Sequence, residues 1–245
     1  MTLVQTEPKS IKIWTTEIKR VTIRPNGTEK QIRPAWWTPW ANTMCYYSFD
    51  NTLADGAWRY NNATNTWTTF TTVGNRKVLN ITSNTYVTLP ISDRWNLFTI
   101  LFWFNTTDSK KWLWWPSYSA QDYPWTMEFV DDNYMSIQYW WNYATRREAY
   151  NTTNFRDGNW HLISFTSNNN QNWIVWVDTN FTTSYKNNNT TNYYFWWGSI
   201  TLGRRAPSDA SSITAKMGDF IIENKERTAQ EVSDYYNQTK WNYWL

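Results

Sequence analysis

Residues 97–105 read LFTILFWFN, and three later stretches share this apolar pattern: FRDGNWHLISFT at 155–166, IVWVDTN at 174–180 and GDFIIE at 218–223. Each contains a run of β-branched and aromatic residues bounded by Asn, Asp or Gly, which is typical of core β-strands. Similar runs occur before and between these stretches, at 46–50, 77–81, 86–89, 127–130, 134–139 and 200–203. Many short strands separated by turn residues predict an all-β sandwich.

A short C-terminal helix is predicted after the last of these strands. Thr228 is suited to be its N-cap, and Glu231 stands three residues later, which is the spacing of a capping box. Val232, Tyr235 and Tyr236 give the helix one apolar face. We therefore expect the helix to begin directly after Thr228 and to pack on the sandwich.

Taken in this order, the four stretches and the helix resemble the laminin-G-like branch of the concanavalin A-like lectin/glucanase superfamily. The resemblance runs from about residue 42 to about residue 241. It implies a two-sheet antiparallel jelly-roll sandwich with a short C-terminal helix. It also implies a protein that binds rather than cuts, because most members of this branch are binding domains.

Residues 1–40 differ from the rest and predict a separate N-terminal β-hairpin arm, followed by a jelly-roll domain at 41–245. Residues 11–23 mix β-branched and charged residues, and a turn signal follows at Pro25-Asn26-Gly27-Thr28. A two-stranded ribbon is marginally stable alone, so we expect the arm to join a larger assembly or a second copy of the chain. The arm also resembles short β elements that open phage tail proteins.

Bulk properties exclude several classes of partner and location. A net charge of +3 is too small to indicate a nucleic-acid-binding protein. No stretch is apolar enough to span a bilayer, and the N-terminus has no secretory signal peptide. The single cysteine, Cys45, excludes an intrachain disulfide. We expect the protein to be extracellular, on a cell surface or part of a virion or other particle. It would reach that location without a classical signal peptide.

Hydrolysis is not predicted. A glucanase of this superfamily carries a Glu-x-Asp-x-x-Glu motif or a close variant, because its chemistry needs two carboxylates across the scissile bond. The nearest group, Glu128, Asp131 and Asp132, lacks the second glutamate. His161 is the only histidine and stands at the entry to a predicted core strand, where a structural role is favoured.

Glycan binding is the function that the residues favour. Sugar rings stack on aromatic faces, while planar polar groups hold their hydroxyls, and two predicted loops around 112–125 and 140–146 are rich in such residues. The candidate ligand-binding residues are Trp115, Tyr118, Tyr123, Trp125, Trp140, Trp141, Tyr143 and Arg146. The expected partner is a glycan or a cell-surface protein. The alternative is a purely structural spacer or decoration module of a particle or surface layer.

Calcium is the cofactor that the resemblance implies, because many lectin-like sandwiches hold one such ion. Matched by position in the family pattern, its ligands would be Asp50, Asp55 and Asp219. A second, looser cluster lies at 131–133. Carboxylate and amide oxygens are the ligands that calcium prefers.

Three Asn/Thr-rich stretches, at 61–72, 168–172 and 186–192, interrupt the predicted strands. They lack a clear strand pattern, so we expect exposed loops there. Their Asn-x-Ser/Thr triplets follow from composition and are not predicted to be glycosylation sites.

The chain has 21 tryptophans and only 7 glycines, although average usage would give roughly seventeen glycines. Trp103 and Trp160 stand where the family itself has tryptophan. Seven others stand where it more often has glycine or another turn residue: Trp112, Trp114, Trp115, Trp140, Trp141, Trp196 and Trp197. Two hypotheses follow: many tryptophans are UGA codons that the source reads as glycine, or the protein has a tryptophan-rich binding surface.

Overall fold

The structure is a computed structural model. It describes the backbone of residues 21–23, 30–32, 42–57, 60–74, 76–91, 94–95, 97–109, 112–117, 123–130, 134–140, 147–167, 173–181, 184–187, 195–196, 199–203 and 213–243. It describes the side chains of residues 42–57, 60–74, 76–91, 97–109, 151–167, 174–181, 199–203 and 213–243. By internal contacts the chain divides into two compact units, residues 1–40 and 41–245.

The described residues form twenty strands and one α-helix. The strands are β1 (Val21–Ile23), β2 (Lys30–Ile32), β3 (Thr43–Tyr47), β4 (Thr64–Thr66), β5 (Thr69–Val73), β6 (Arg76–Ile81), β7 (Tyr86–Leu89), β8 (Arg94–Trp95), β9 (Phe98–Asn105), β10 (Trp112–Ser117), β11 (Tyr123–Val130), β12 (Tyr134–Trp140), β13 (Arg147–Asn151), β14 (His161–Ser167), β15 (Trp173–Val177), β16 (Asn180–Phe181), β17 (Ser184–Asn187), β18 (Phe195–Trp196), β19 (Ser199–Leu202) and β20 (Ala215–Glu223). The helix, α1, spans Ala229–Thr239, and a 3-10 turn at Lys240–Asn242 follows it.

Two antiparallel eight-stranded sheets form the second unit. Sheet I has the order β17-β13-β12-β11-β10-β19-β7-β4. Sheet II has the order β16-β15-β14-β9-β20-β6-β5, and β3 also pairs with β20. β8 and β18 pair separately, and in the first unit β1 pairs with β2 as an antiparallel ribbon. The predicted fold class, an antiparallel jelly-roll sandwich with a short C-terminal helix, is confirmed.

The hydrophobic core lies between the two sheets. Sheet II contributes alternate residues of β9, including Phe102 and Phe104, and sheet I contributes Leu89 and Ile200. All four side chains are fully buried. Because strand residues alternate between the faces of a sheet, the core takes one face of each strand.

β9 is apolar on both of its faces, which explains its unbroken apolar run. The outward-facing Trp103 is fully buried, because its ring stacks on Tyr236 and Tyr243 from the C-terminal segment. The indole Nε1 of Trp103 donates a 3.0 Å hydrogen bond to Oγ1 of Thr239. The C-terminal helix therefore covers the outer face of sheet II, as its apolar side requires.

The predicted capping box is confirmed at the start of α1. The Thr228 side chain accepts a hydrogen bond from the amide of Glu231, and the Glu231 carboxylate accepts one from the Thr228 amide at 2.9 Å. These bonds satisfy two amides that a helix start otherwise leaves unpaired. No helix within the described residues is long and apolar enough to cross a membrane.

Two predictions of loops are wrong. The Asn/Thr-rich stretch at 61–72 contains β4 and most of β5, which lie at edges of sheets I and II. The aromatic stretch around 112–125 contains β10 and the first residues of β11. Threonine and aromatic residues fit a pleated sheet surface well, so these stretches extend the sheets despite their asparagines and apparent turn signals.

Candidate functional site

Strand ends that border the predicted binding loops lie at one end of sheet I. Tyr123, the first residue of β11, pairs with Trp140, the last residue of β12. β10 runs antiparallel to β11 and ends with Ser117, which pairs with Ser199 at the start of β19. The connections from β10 to β11 and from β12 to β13 therefore leave the sheet at the same end. We term this end, marked by these four residues, the rim.

Two further strands reach the same end. Arg147, at the start of β13, pairs with Tyr139 of β12 and with Asn187 at the end of β17. Leu89, the last residue of β7, pairs with Ile200, the second residue of β19. The segments that follow β7 and β17 thus also begin at the rim.

Half of the predicted ligand-binding residues lie in these strands. Trp115 lies in β10, Tyr123 and Trp125 lie in β11, and Trp140 lies in β12. The register brings Tyr123 and Trp140 together as direct partners. The other predicted residues, Tyr118, Trp141, Tyr143 and Arg146, lie outside the described residues. The role of all eight as ligand contacts stays a prediction.

A row of three polar residues crosses sheet I, and the sequence alone did not single it out. Gln138 of β12 pairs with Glu148 of β13, and Glu148 pairs with Lys186 of β17. The alternation of polar and apolar residues within β12 was the signal in the sequence.

Asp219, a predicted calcium ligand, belongs to a buried ion pair with Arg76. Nη1 of Arg76 donates to Oδ2 at 3.0 Å, and Nη2 donates to Oδ1 at 2.9 Å. The hydroxyl of Tyr46 also donates to Oδ1, at 2.7 Å, and that of Tyr243 donates to Oδ2, at 2.9 Å. Burial lowers the pKa of Arg76, but the adjacent Asp219 carboxylate outweighs this and raises it. The carboxylate is thus held by four protein donor atoms.

The other two predicted calcium ligands also accept hydrogen bonds from the backbone. Oδ1 of Asp55 accepts from the amides of Tyr46 (2.9 Å) and Ala57 (3.0 Å), and Oδ2 accepts from the amide of Tyr60 (2.8 Å). Oδ1 of Asp50 accepts from the amide of Lys77 at 3.0 Å.

Over the described ranges, no group of three or more His, Cys, Asp or Glu side chains is arranged to hold a metal ion. The donor chemistry suits calcium, but an ion at Asp219 would have to compete with the Arg76 guanidinium. A calcium ion bound by the three predicted carboxylates therefore stays a prediction.

The residues considered for catalysis lie in structural surroundings. Glu128 pairs with Ser136 across β11 and β12, while Asp131 and Asp132 lie outside the described residues. Both ring nitrogens of His161 contact carboxylates, whereas a catalytic base of this kind contacts a serine or cysteine nucleophile. Cys45 is fully buried, and burial raises the pKa of its thiol well above the ordinary value. A buried thiol of raised pKa is a poor nucleophile.

Comparison with known proteins agrees with this fold. Residues 81–233, more than half of the chain, match the family Laminin_G_3, described as the concanavalin A-like lectin/glucanases superfamily. A search of curated protein sequences finds no match.

Solved structures show the same fold at low sequence identity. Domain 4 of AbnA, a GH43 extracellular arabinanase from Geobacillus stearothermophilus, solved in complex with arabinotriose, is 15% identical with a TM-score of 0.63. The match covers 79% of this chain and 97% of that one. The binding domain of botulinum neurotoxin DC, in complex with SialylT, is 13% identical with a TM-score of 0.65, and the match covers 81% and 52% of the two chains. The receptor-binding domain of botulinum neurotoxin type G is 18% identical with a TM-score of 0.61, over 81% and 52%. The chain spans about half the length of the toxin domains that it matches.

Proposed function

The chain belongs to the concanavalin A-like lectin/glucanase superfamily, and from this premise we propose that it is a non-catalytic domain that recognises glycans through the rim of sheet I. The observation that carries the proposal is the strand register. It brings the ends of β10, β11 and β12 together, and the connections rich in aromatic and polar residues leave from there. A surface that combines aromatic and planar polar residues has the chemistry that sugar rings need.

Two structures of the same fold support the choice of ligand class. The arabinanase domain was solved with arabinotriose and one toxin binding domain with SialylT. We propose that Tyr123 and Trp140, which are register partners, form a stacking platform at the rim. Tyr143 and Arg146 would add polar contacts from the connection after β12. A cell-surface protein, the other partner that the sequence predicts, would present its glycan to the same surface.

The proposal includes a location and a mode of attachment. As a glycan-binding domain, the protein would act outside the cell, on a cell surface or on a virion or other particle. The ribbon in residues 1–40 would attach it to a larger assembly or to a second copy, because a two-stranded ribbon needs a partner surface for stability. Calcium at Asp50, Asp55 and Asp219 would be the cofactor.

A glycan array tests the proposal directly. The wild-type chain should bind one class of glycan with saturable affinity, and Tyr123→Ala should abolish that binding without lowering the melting temperature. Phe181→Ala is the matched control, because Phe181 is an exposed aromatic residue (54%) on sheet II rather than at the rim. If no glycan class binds and the chain self-associates through residues 1–40, the spacer function replaces recognition.

A further inference from the structure

One imidazole lies between two carboxylates at the start of β14. Nδ1 of His161 is 2.8 Å from Oδ2 of Asp178, and Nε2 is 3.0 Å from Oδ1 of Asp157. The histidine side chain is only 11% exposed, while those of Asp178 and Asp157 are 20% and 35% exposed. A neutral imidazole has one N–H, so only the doubly protonated ring can donate to both carboxylates at once.

The two carboxylates belong to different turns. Asp157 lies in the connection before β14, where its Oδ1 also accepts from the amide of Asn159 at 2.8 Å. Asp178 follows β15 with a left-handed φ of 57°, and its Oδ1 accepts from the amide of Leu162 at 2.9 Å. His161 therefore joins two separate turns to the first residues of one core strand.

We propose that His161 is a pH-dependent latch at this end of the sandwich. The protonated ring ties both turns to β14, and the neutral ring keeps Asp178 and releases Asp157. Asp178 is the retained partner for two reasons: its contact with the ring is shorter, and its side chain is less exposed than that of Asp157. The neutral ring then carries its proton on Nδ1 and turns a lone pair towards Asp157.

The direction of titration agrees with this geometry. Burial lowers the pKa of His161, but hydrogen bonds to Asp178 and Asp157 outweigh it and raise the pKa above its ordinary value of about 6.5. Because the folded pKa is the higher one, the stabilisation is complete below pH about 6.5 and is lost as the pH rises through the folded pKa.

Asp157 and Tyr236, which lie near the ring, keep their charge state in this window. Burial raises the pKa of Asp157, but hydrogen bonds from Asn159 and His161 outweigh this and lower it, so Asp157 stays ionised. Tyr236 of α1 faces Asp178, and burial together with that charge raises its pKa, so it stays neutral. Loss of the proton thus removes the positive charge of the ring that lies between the two carboxylates.

The released segment stays anchored on its other side. Asn105 donates to the carbonyl of Gly158, and the Gly158 amide donates to the carbonyl of Thr106. Trp160 packs on Tyr243, with ring centroids 4.8 Å apart. The change is therefore a local movement of the Asp157 carboxylate and a change of surface charge, without unfolding of the strand.

NMR titration of the full chain tests the latch, because the protein has one histidine and its Cε1 proton reports a single pKa. That pKa should exceed 6.5, and Asp157→Asn and Asp178→Asn should each lower it. Both variants keep an amide oxygen as acceptor, and asparagine tolerates the left-handed φ at 178. The Asn159 amide should titrate with the histidine midpoint more strongly than the Leu162 amide.

Three results would overturn the latch: a pKa at or below 6.5, a pKa unmoved by either variant, or an Asn159 amide that does not follow the titration. Thermal unfolding gives an independent measurement. The melting temperature of the wild type should fall as the pH rises through the midpoint, and His161→Gln should remove this fall. A wild-type melting temperature that stays level across the midpoint would also refute the proposal.

Discussion

Glycine at position 67 is expected to make the jelly roll more stable than alanine there. Trp67 joins β4 to β5 with a φ of 59°, in the left-handed region that a residue with a Cβ adopts at a cost of roughly 1–2 kcal/mol. Glycine adopts this φ without that cost. It also makes the unfolded chain more flexible than alanine does, which lowers the free energy of unfolding by about 0.4–1 kcal/mol. The free energy of unfolding of Trp67→Gly should therefore exceed that of Trp67→Ala by about 0.5–1 kcal/mol.

The comparison with alanine isolates the contribution of the backbone conformation at position 67 to the free energy of unfolding. The tryptophan side chain is 80% exposed, so either substitution removes only about 40 Å² of buried surface, worth about 1 kcal/mol, and this loss is common to both. For a domain of this size, 1 kcal/mol corresponds to a shift in melting temperature of about 2–4 °C. Replicate thermal unfolding and urea titrations of the two variants resolve such a difference.

Ala54→Gly is the matched control. Ala54 is exposed and does not have a positive φ, so glycine there should lower the free energy of unfolding by about 0.4–1 kcal/mol. If Trp67→Ala is as stable as Trp67→Gly, or more stable, the left-handed backbone at position 67 is refuted. If Ala54→Gly gains stability too, the gain at position 67 cannot be assigned to φ.

Three further predictions concern the described interior and its predicted ion. Gly218→Ala should cost about 1–3 kcal/mol in urea unfolding, because a Cβ at 218 would overlap the ring of Tyr243; an unchanged midpoint would contradict this packing. Arg227→Met should cost about 3–5 kcal/mol, since it leaves the buried Glu223 carboxylate without its bidentate partner, and the added change Glu223→Gln should restore part of the loss. Millimolar calcium should raise the melting temperature relative to EDTA if the predicted carboxylates bind the ion, and a level melting temperature would end that prediction.

The sequence was sufficient for the core strands and the helix because their signals are local. β9 and β14 are continuous apolar runs, and the capping box needs only Thr228 and Glu231. The edge strands β4 and β5 were missed because their threonines and asparagines are equally typical of loops. Their pairing partners, β7 and β6, decide that they are strands, and those partners cannot be read from the segment itself.

The candidate site could be predicted only in part, because it is built from long-range register. The aromatic residues near the rim were visible as local clusters, but the row of Gln138, Glu148 and Lys186 exists only once three strands are aligned. The same reason explains why the ion pair of Asp219 could not be predicted. Position in the family pattern indicated a calcium ligand, whereas its Arg76 partner lies 143 residues away in the chain.

The structure separates two kinds of tryptophan, and this bears on the residues available for recognition. Trp103 donates to Thr239 and stacks on Tyr243, with centroids 4.7 Å apart, which is a role that glycine cannot fill. Trp67 has the opposite properties, because its side chain is largely exposed while its backbone has a conformation that suits glycine. Among the tryptophans whose side chains the structure describes, Trp67 therefore best fits a UGA codon read as glycine.

The mass of the tryptic peptide spanning 60–76, taken from protein made by its own source, tests the recoding hypothesis at position 67. Glycine at position 67 would extend the same question to Trp115 and Trp140, and recognition at the rim would then depend on Tyr123 and on polar groups such as the Gln138 row. Tryptophan at position 67 would end the recoding hypothesis there. If the tryptic peptide 112–146, which contains Trp115 and Trp140, also has the mass expected for tryptophan at both positions, Trp140→Ala should weaken glycan binding as strongly as Tyr123→Ala.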